Sequence, residues 1–234
     1  MFVMTWTNAI AAFLLTCGAA VAGPTYEPQT VPNRAYTGGW EHYVGSGLAV
    51  FDCDDDGRLD LMAAGGTSPP TLWRNISEDQ GTIRFEVIPM PELTATTGAY
   101  PIDIDNDSVL DLVLMRVGPD MILRGLGSCE FTPTSLPDIT FTNKWTTAFS
   151  ATWEAGNTRP TLAFGHYVDR TNADGPFEAC DKNLLLRPDG DFYKSTPLTP
   201  GFCPLSMLFS SWVPHVTSDL RVRNARNNYV RVSA

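Results

Sequence analysis

The sequence predicts an all-β fold assembled from a repeated unit of about four strands. Three observations predict it. An acidic pattern, Asp-x-Asp-x-Asp-x-x-x-Asp-Leu, occurs at residues 52–61 and again at 103–112, 51 residues apart. An arginine-closed apolar pair follows each copy, as Leu72-Trp73-Arg74 and Ile122-Leu123-Arg124, with the arginines 50 residues apart. The flanks of the acidic loops, residues 48–51, 61–66 and 112–115, are short and apolar, with no polar face at helical spacing. Such runs read as buried strands joined by a loop.

Residues 1–22 read as a secretory signal. Residues 9–20 are an apolar run too short to span a bilayer, and Ala20-Val21-Ala22 before Gly23 offers a small-residue cleavage site. No Lys or Arg precedes the run. Residues 23–35 form a Pro- and Thr-rich extended lead. The glycine-rich stretch 38–47 predicts a close approach of backbones. Repeats then fill residues 36–234. The first unit carries its loop at 52–61, its arginine strand at 71–75 and a last strand near Phe85. The second matches it, ending near Phe131.

Two worn copies continue the series. The third has its loop at 153–162 and Leu184-Leu185-Leu186-Arg187 as arginine strand, after an insertion. The fourth has its loop at 211–220, with Asn228-Tyr229-Val230-Arg231 in the arginine-strand place. Trp153, Ala155, Val213 and His215 stand where acidic ligands stood, so neither copy is expected to hold metal. Apolar packing around Trp153 and Trp212, with a Cys180–Cys203 bridge nearby, is expected to order these loops in place of the ion.

In the intact loops the residue types point to a hard cation. Asp52, Asp54 and Asp56 alternate, Gly57 allows a sharp turn and Asp60 closes the set; Asp103, Asp105, Asp107 and Asp111 match them, with Ser108 in place of the glycine. Backbone carbonyls of Arg58 and Val109 complete the expected cages. All-oxygen ligation favours Ca²⁺, at two sites, with oxygens at roughly 2.3–2.6 Å. Carboxylates ~4 Å apart repel by roughly 1–4 kcal/mol per pair near a protein surface, so a neutralising cation would hold the loops closed. An EF-hand is excluded, because position twelve is Ala63 in one copy and Leu114 in the other rather than a bidentate Glu.

The net charge is −10, to which the two loops contribute nine Asp against one Arg. That balance excludes a basic nucleic-acid footprint. Cleavage at residue 22 removes Cys17 and leaves Cys53, Cys129, Cys180 and Cys203, an even set that reads as two disulfides in an exported chain. Three connectivities are open. Cys180 and Cys203 flank one insertion and are the favoured pair, leaving Cys53 with Cys129. His42, His166 and His215 share no metal-ligand spacing, and no nucleophile elbow, phosphate loop or zinc-protease motif occurs. Glu41 with His42 is the single acid–base neighbour pair.

These residues resemble the FG-GAP/VCBS repeats of integrin-α-like β-propellers. The Gly-Gly-Trp-Glu-His lead, Phe51-Asp52-Cys53-Asp54 and Leu-x-Arg-Asn are similar to secreted cartilage acidic protein-like and UnbV-associated proteins. The resemblance covers residues 36–231. It implies a β-propeller of about four four-stranded blades, with Ca²⁺ between the first two strands of a blade. It also implies a secreted, extracellular or periplasmic module for cell adhesion or scaffolding, which binds protein or glycan without chemistry of its own. No membrane span is expected after signal cleavage. Two alternatives stay open: a propeller enzyme of the polysaccharide lyase or hydrolase type, and a structural fragment of a larger exported protein. Closed rings of this kind use about seven blades, so four imply an open arc, completed by an oligomer or by further blades.

Overall fold

Each predicted unit folds as an antiparallel meander. The structure, a computed structural model, describes residues 26–79, 81–210, 219–224 and 229–232. The proposed signal segment and residues 211–218, with Trp212, Val213 and His215, lie outside the described residues. Contacts divide the chain into residues 1–30 and residues 31–234. Within the first unit, residues 26–30 form neither helix nor strand. All the described strands belong to the second.

The first sheet runs β1 (Leu48–Phe51), β2 (Asp60–Ala63), β3 (Thr71–Asn75) and β4 (Phe85–Ile88), each paired with its neighbour. The second repeats this order with β5 (Thr96–Ile102), β6 (Asp111–Gly118), β7 (Met121–Gly125) and β8 (Phe131–Thr134). The third holds β9 (Lys144–Thr152), β10 (Thr161–His166), β11 (Asn183–Asp189) and β12 (Phe192–Leu198). Of the fourth, three strands are described, β13 (Pro204–Ser210), β14 (Asp219–Asn224) and β15 (Tyr229–Val232). The end of β6 also pairs with the start of β9, through Val117 with Trp145 and Gly118 with Lys144, joining the second and third sheets.

Strand alternation explains how the sheets stack. Side chains on one strand point to opposite faces, so a sheet apolar on both faces can bury each against a neighbour. Leu112 and Leu114 on β6 pack with Phe51, Met62 and Leu72 of the first sheet, while Val113 between them packs with Phe149, Leu162 and Phe164 of the third. Leu162 and Phe164 face the second sheet, and Ala163 between them faces Met207, Leu220 and Val222 of the fourth. Phe149 and Phe164 meet edge to face with centroids 5.0 Å apart. Each fully buried leucine contributes about 1.5–3 kcal/mol. Three apolar layers between four sheets thus replace a single central core.

The glycine-rich lead is where backbones approach. Gly47 donates its N–H to Thr97 O at 3.1 Å, and a Cβ on Gly47 would lie 2.9 Å from the Gly98 Cα. Thr37 is clamped against the Gly65–Ser68 turn by two backbone bonds and by its hydroxyl, which contacts Ser68 Oγ at 2.7 Å. Both favoured disulfides are present. Cys53 joins Cys129, and Cys180 joins Cys203, each with Cα atoms 4.7 Å apart.

Candidate functional site

The acidic loops connect the first two strands of the first and second sheets, as expected. In each, three carboxylates converge: Asp52, Asp54 and Asp60 in one, Asp103, Asp105 and Asp111 in the other, with one oxygen from each within 4.8 Å of the others. The backbone forces this convergence. Asp52 sits at the loop start and accepts N–H bonds from Asp56 at 3.2 Å and Gly57 at 2.7 Å. Asp103 does the same for Asn106, Asp107 and Ser108. The turn needs a left-handed residue at position six, which Gly57 supplies at φ 82° and Ser108 at φ 69°. Ser108 thus holds the glycine conformation at some strain.

The closing carboxylates are buried staples. Asp60 is 0% exposed and accepts the Cys53 N–H at 2.8 Å and the Asn75 N–H at 2.8 Å. Asp111, 3% exposed, accepts the Ile104 and Gly125 N–H groups at 3.0 and 2.9 Å. Each therefore ties the loop entrance to the end of the arginine strand, in the same way in both repeats.

Asp56 and Asp107 stand apart from the convergent triplets. Asp56 pairs with the Arg58 guanidinium, and Asp107 with Arg124 Nη2 at 2.9 Å. Arg58 also donates from Nε to the Asn75 carbonyl at 3.3 Å. Val109 donates its N–H to Asp107 at 2.9 Å. The second loop borders a cavity of about 220 Å³ between Arg124 and Arg159.

The carboxyls feel one another. Burial pushes the Asp54 carboxyl up, and the charges of Asp56, Asp60 and Asp52 push the same way. Its Oδ1 is buried without a hydrogen-bond partner. Burial also raises Asp111, with Asp105 and Asp107 adding to it against the two backbone donors. Burial opposes the lowering of Asp52, but N–H groups of Gly57, Asp56, Asp54 and Asp55 win and hold its carboxyl below the usual range. A crowded triplet with an orphaned oxygen and oxygen-only donors fits a hard divalent cation.

The arginine of the third strand has a role that the sequence reading missed. Leu61 lies opposite Trp73, Leu112 opposite Leu123 and Leu162 opposite Leu186, which places Arg74, Arg124 and Arg187 at one register position. Arg74 lies 4.0 Å from Asp54, and Arg124 lies 3.3 Å from Asp105. In the third repeat Arg187 instead pairs with Glu154 at 3.1 Å, and Glu154 accepts the Thr161 hydroxyl at 2.8 Å. Thr161, 0% exposed, occupies the place of Asp60 and Asp111. The worn third loop is therefore ordered by an ion pair and a hydroxyl. The expected packing of Trp153 is corrected, since the residue is 53% exposed. Arg231 lies opposite Arg221, so the fourth repeat does not keep the arginine register.

The Glu41–His42 neighbours do not act as a pair. Glu41 is engaged by Arg170 Nε at 2.5 Å, and the buried His42 ring has both nitrogens unpartnered, with burial lowering its pKa.

Residues 52–114 match the FG-GAP-like repeat family. No curated protein sequence matches the chain. Among solved structures, the crystal structure of BBS1N in complex with ARL6DN, soaked with lead, superposes at a TM-score of 0.52 and 13% identity, over 80% of this chain and 54% of that one. The chain thus spans about half the length of that solved chain, and the likeness is one of fold. Taken with the four meanders and their stacking, the chain carries FG-GAP-like repeat sequence over residues 52–114, within a partial β-propeller.

Proposed function

We propose that this chain is a calcium-stabilised extracellular binding module, for a protein or glycan partner, with no chemistry of its own. The observation that carries the reading is the twofold occurrence of one carboxylate triplet, Asp52/Asp54/Asp60 and Asp103/Asp105/Asp111, each drawn within 4.8 Å. Two Ca²⁺ ions would relieve the repulsion inside the triplets, with Asp56 and Asp107 recruited from their present pairing with Arg58 and Arg124. Arg74 and Arg124 beside the triplets would then be displaced toward solvent or toward Glu86, with which Arg74 already pairs. Two disulfides support an oxidising compartment. Among the described residues no helix is long and apolar enough to cross a membrane.

Calorimetric titration of the purified chain with CaCl2 tests the metal. Two sites of extracellular strength, on the order of 0.1–1 mM, are expected. No heat beyond dilution at several millimolar Ca²⁺ would sink the reading. An Asp52→Ala, Asp103→Ala double variant should abolish both sites.

A further inference from the structure

At the opposite ends of the strands from the acidic loops, the second and third sheets and the β8–β9 connection line a half-open cavity of about 360 Å³. It lies at the low end of the range of ligand pockets, roughly 300–1,000 Å³, and has room for one sugar ring. Its inner wall is built from groups distant in sequence. Asp120, from the β6–β7 turn, is 6% exposed and His166, from the end of β10, is 5% exposed. Asn183, 1% exposed, opens β11.

The hydrogen bonds fix what this wall offers. His166 Nδ1 lies 2.6 Å from the Lys182 carbonyl, which can only accept, so the ring proton sits on Nδ1. Burial lowers the His166 pKa and keeps the ring neutral, leaving a lone pair on Nε2. Among the described residues Nε2 makes no hydrogen bond; Asp120 Oδ2 is 4.0 Å away. Asp120 accepts the Thr146 hydroxyl at 2.7 Å and the Arg116 N–H at 2.9 Å, and in its ionised form each oxygen keeps a second acceptor position. The Asn183 side chain accepts the His166 N–H at 2.9 Å, while its buried Nδ2 has no partner.

Both signs of charge line the cavity: Lys144 and Lys182 with Asp120 and Asp138. Lys144 is paired with Asp181 at 2.8 Å. The outer lining mixes an aromatic ring, Phe141, with the exposed hydroxyl of Ser195. Such a lining suits a ligand with a ring that is apolar on its face and hydroxylated at its edge. An anion would meet lone pairs at the inner wall, and an apolar ligand would leave them unpaired.

We infer that this cavity binds a neutral saccharide residue, two adjacent hydroxyls of which donate to His166 Nε2 and Asp120 Oδ2. The inference extends the binding-module reading above but does not depend on its metal.

The test uses the full purified chain at about pH 8.5, where Asp120 is ionised, with 5 mM CaCl2 and separately with EDTA. Saturation-transfer difference NMR is recorded with D-glucose, D-galactose, D-mannose and N-acetyl-D-glucosamine, each at 10 mM. Transfer to at least one sugar is expected in both buffers. Ser195→Trp, at an exposed rim position, should fill the cavity and reduce transfer at least tenfold. Nitrogen-15 spectra of the imidazoles supply a second readout, since the chain has three histidines. The His166 Nε2 resonance should move on sugar addition, in wild type and not in Ser195→Trp. No transfer from any of the four sugars overturns the inference, as does transfer that survives Ser195→Trp with a stationary His166 signal. Loss of calcium heats with sugar transfer intact would overturn the metal reading alone.

Discussion

Replacing Asp111 by Asn separates the closing carboxylate's mechanical role from any role as a ligand. The carboxylate is buried and each oxygen accepts one backbone N–H, from Ile104 and from Gly125. An amide of the same shape has one oxygen. Its NH2 group would face one of the two donors, leaving that buried N–H unsatisfied at a cost of about 1–3 kcal/mol. The surviving bond would lose its charge assistance, roughly half its strength. A total near 3 kcal/mol follows, and a domain of this size loses roughly 2–4 °C of Tm per kcal/mol. Asp111→Asn should therefore melt roughly 6–12 °C below wild type in EDTA, read by calorimetry or by circular dichroism. Asp105→Asn is the control, because its side chain is 41% exposed and its loss relieves repulsion. It should stay within about 0.5 kcal/mol of wild type in EDTA. If Asp111→Asn melts with wild type in EDTA and falls behind only with Ca²⁺, the staple argument is wrong and Asp111 is a ligand only.

Four further outcomes are expected. Chelation should raise amide exchange over residues 48–134 and hardly over 144–198, since a site filled at ten times Kd adds about 1.4 kcal/mol; equal loss in both segments would mean that the third loop also binds metal. Glu154→Gln should raise exchange over residues 153–160 by about 1 kcal/mol, equally with and without Ca²⁺; a calcium-dependent difference would contradict the ion-pair account. Burial pushes the Asp120 carboxyl up to about 7, so the folded state holds its proton more tightly than the unfolded chain and its contribution to stability is lost as pH rises through about 7. In Asp120→Asn, the oxygen keeps the Arg116 N–H and the amide donates to Thr146; urea midpoints of this variant should gain on wild type between pH 4 and 7 and run parallel above it, and a constant offset would refute the assignment. Reduction of Cys180–Cys203, which closes 23 residues, should cost roughly 3 kcal/mol, measured as a shift in urea midpoint against Cys180→Ser, Cys203→Ser.

Most of the fold was legible because local chemistry repeats. The two acidic loops and the arginine strands marked a period of about 50 residues, and the strands fall around them as read. Glycines at 47 and 98 could be anticipated only in part, since their meeting is a contact between sheets. Both disulfides were legible by position relative to the repeats. The triplets at 52/54/60 and 103/105/111 followed from spacing, yet the staple role of Asp60 and Asp111 did not. It depends on the N–H groups of Asn75 and Gly125, which register brings near. The arginine was visible as a marker without a function. Its signal, recurrence one residue beyond the pair opposite the loop exit, was present in the sequence. Glu154 was missed because its position carries Cys53 and Ile104 in the intact copies. Asp120, His166 and Asn183 carry no local pattern; only the packing of the second sheet against the third unites them.

The Cys53–Cys129 bridge reaches from the first acidic loop to the β7–β8 turn, spanning a sequence separation of 76 residues. Pulled from its two ends, the chain cannot release that span as slack. At about 3.5 Å per extended residue, some 260 Å of contour stays locked until the sulfurs part. Tension entering at β1 passes through the bridge into the second sheet and bypasses β2 to β7. Both acidic loops lie inside the shielded span, except for the single residue Asp52 ahead of the cysteine. Under load the second triplet, Asp103/Asp105/Asp111, would keep its shape while the third and fourth sheets unravel, the first being exposed to tension through Asp52, and a force–extension trace in reducing buffer should show that hidden length appear.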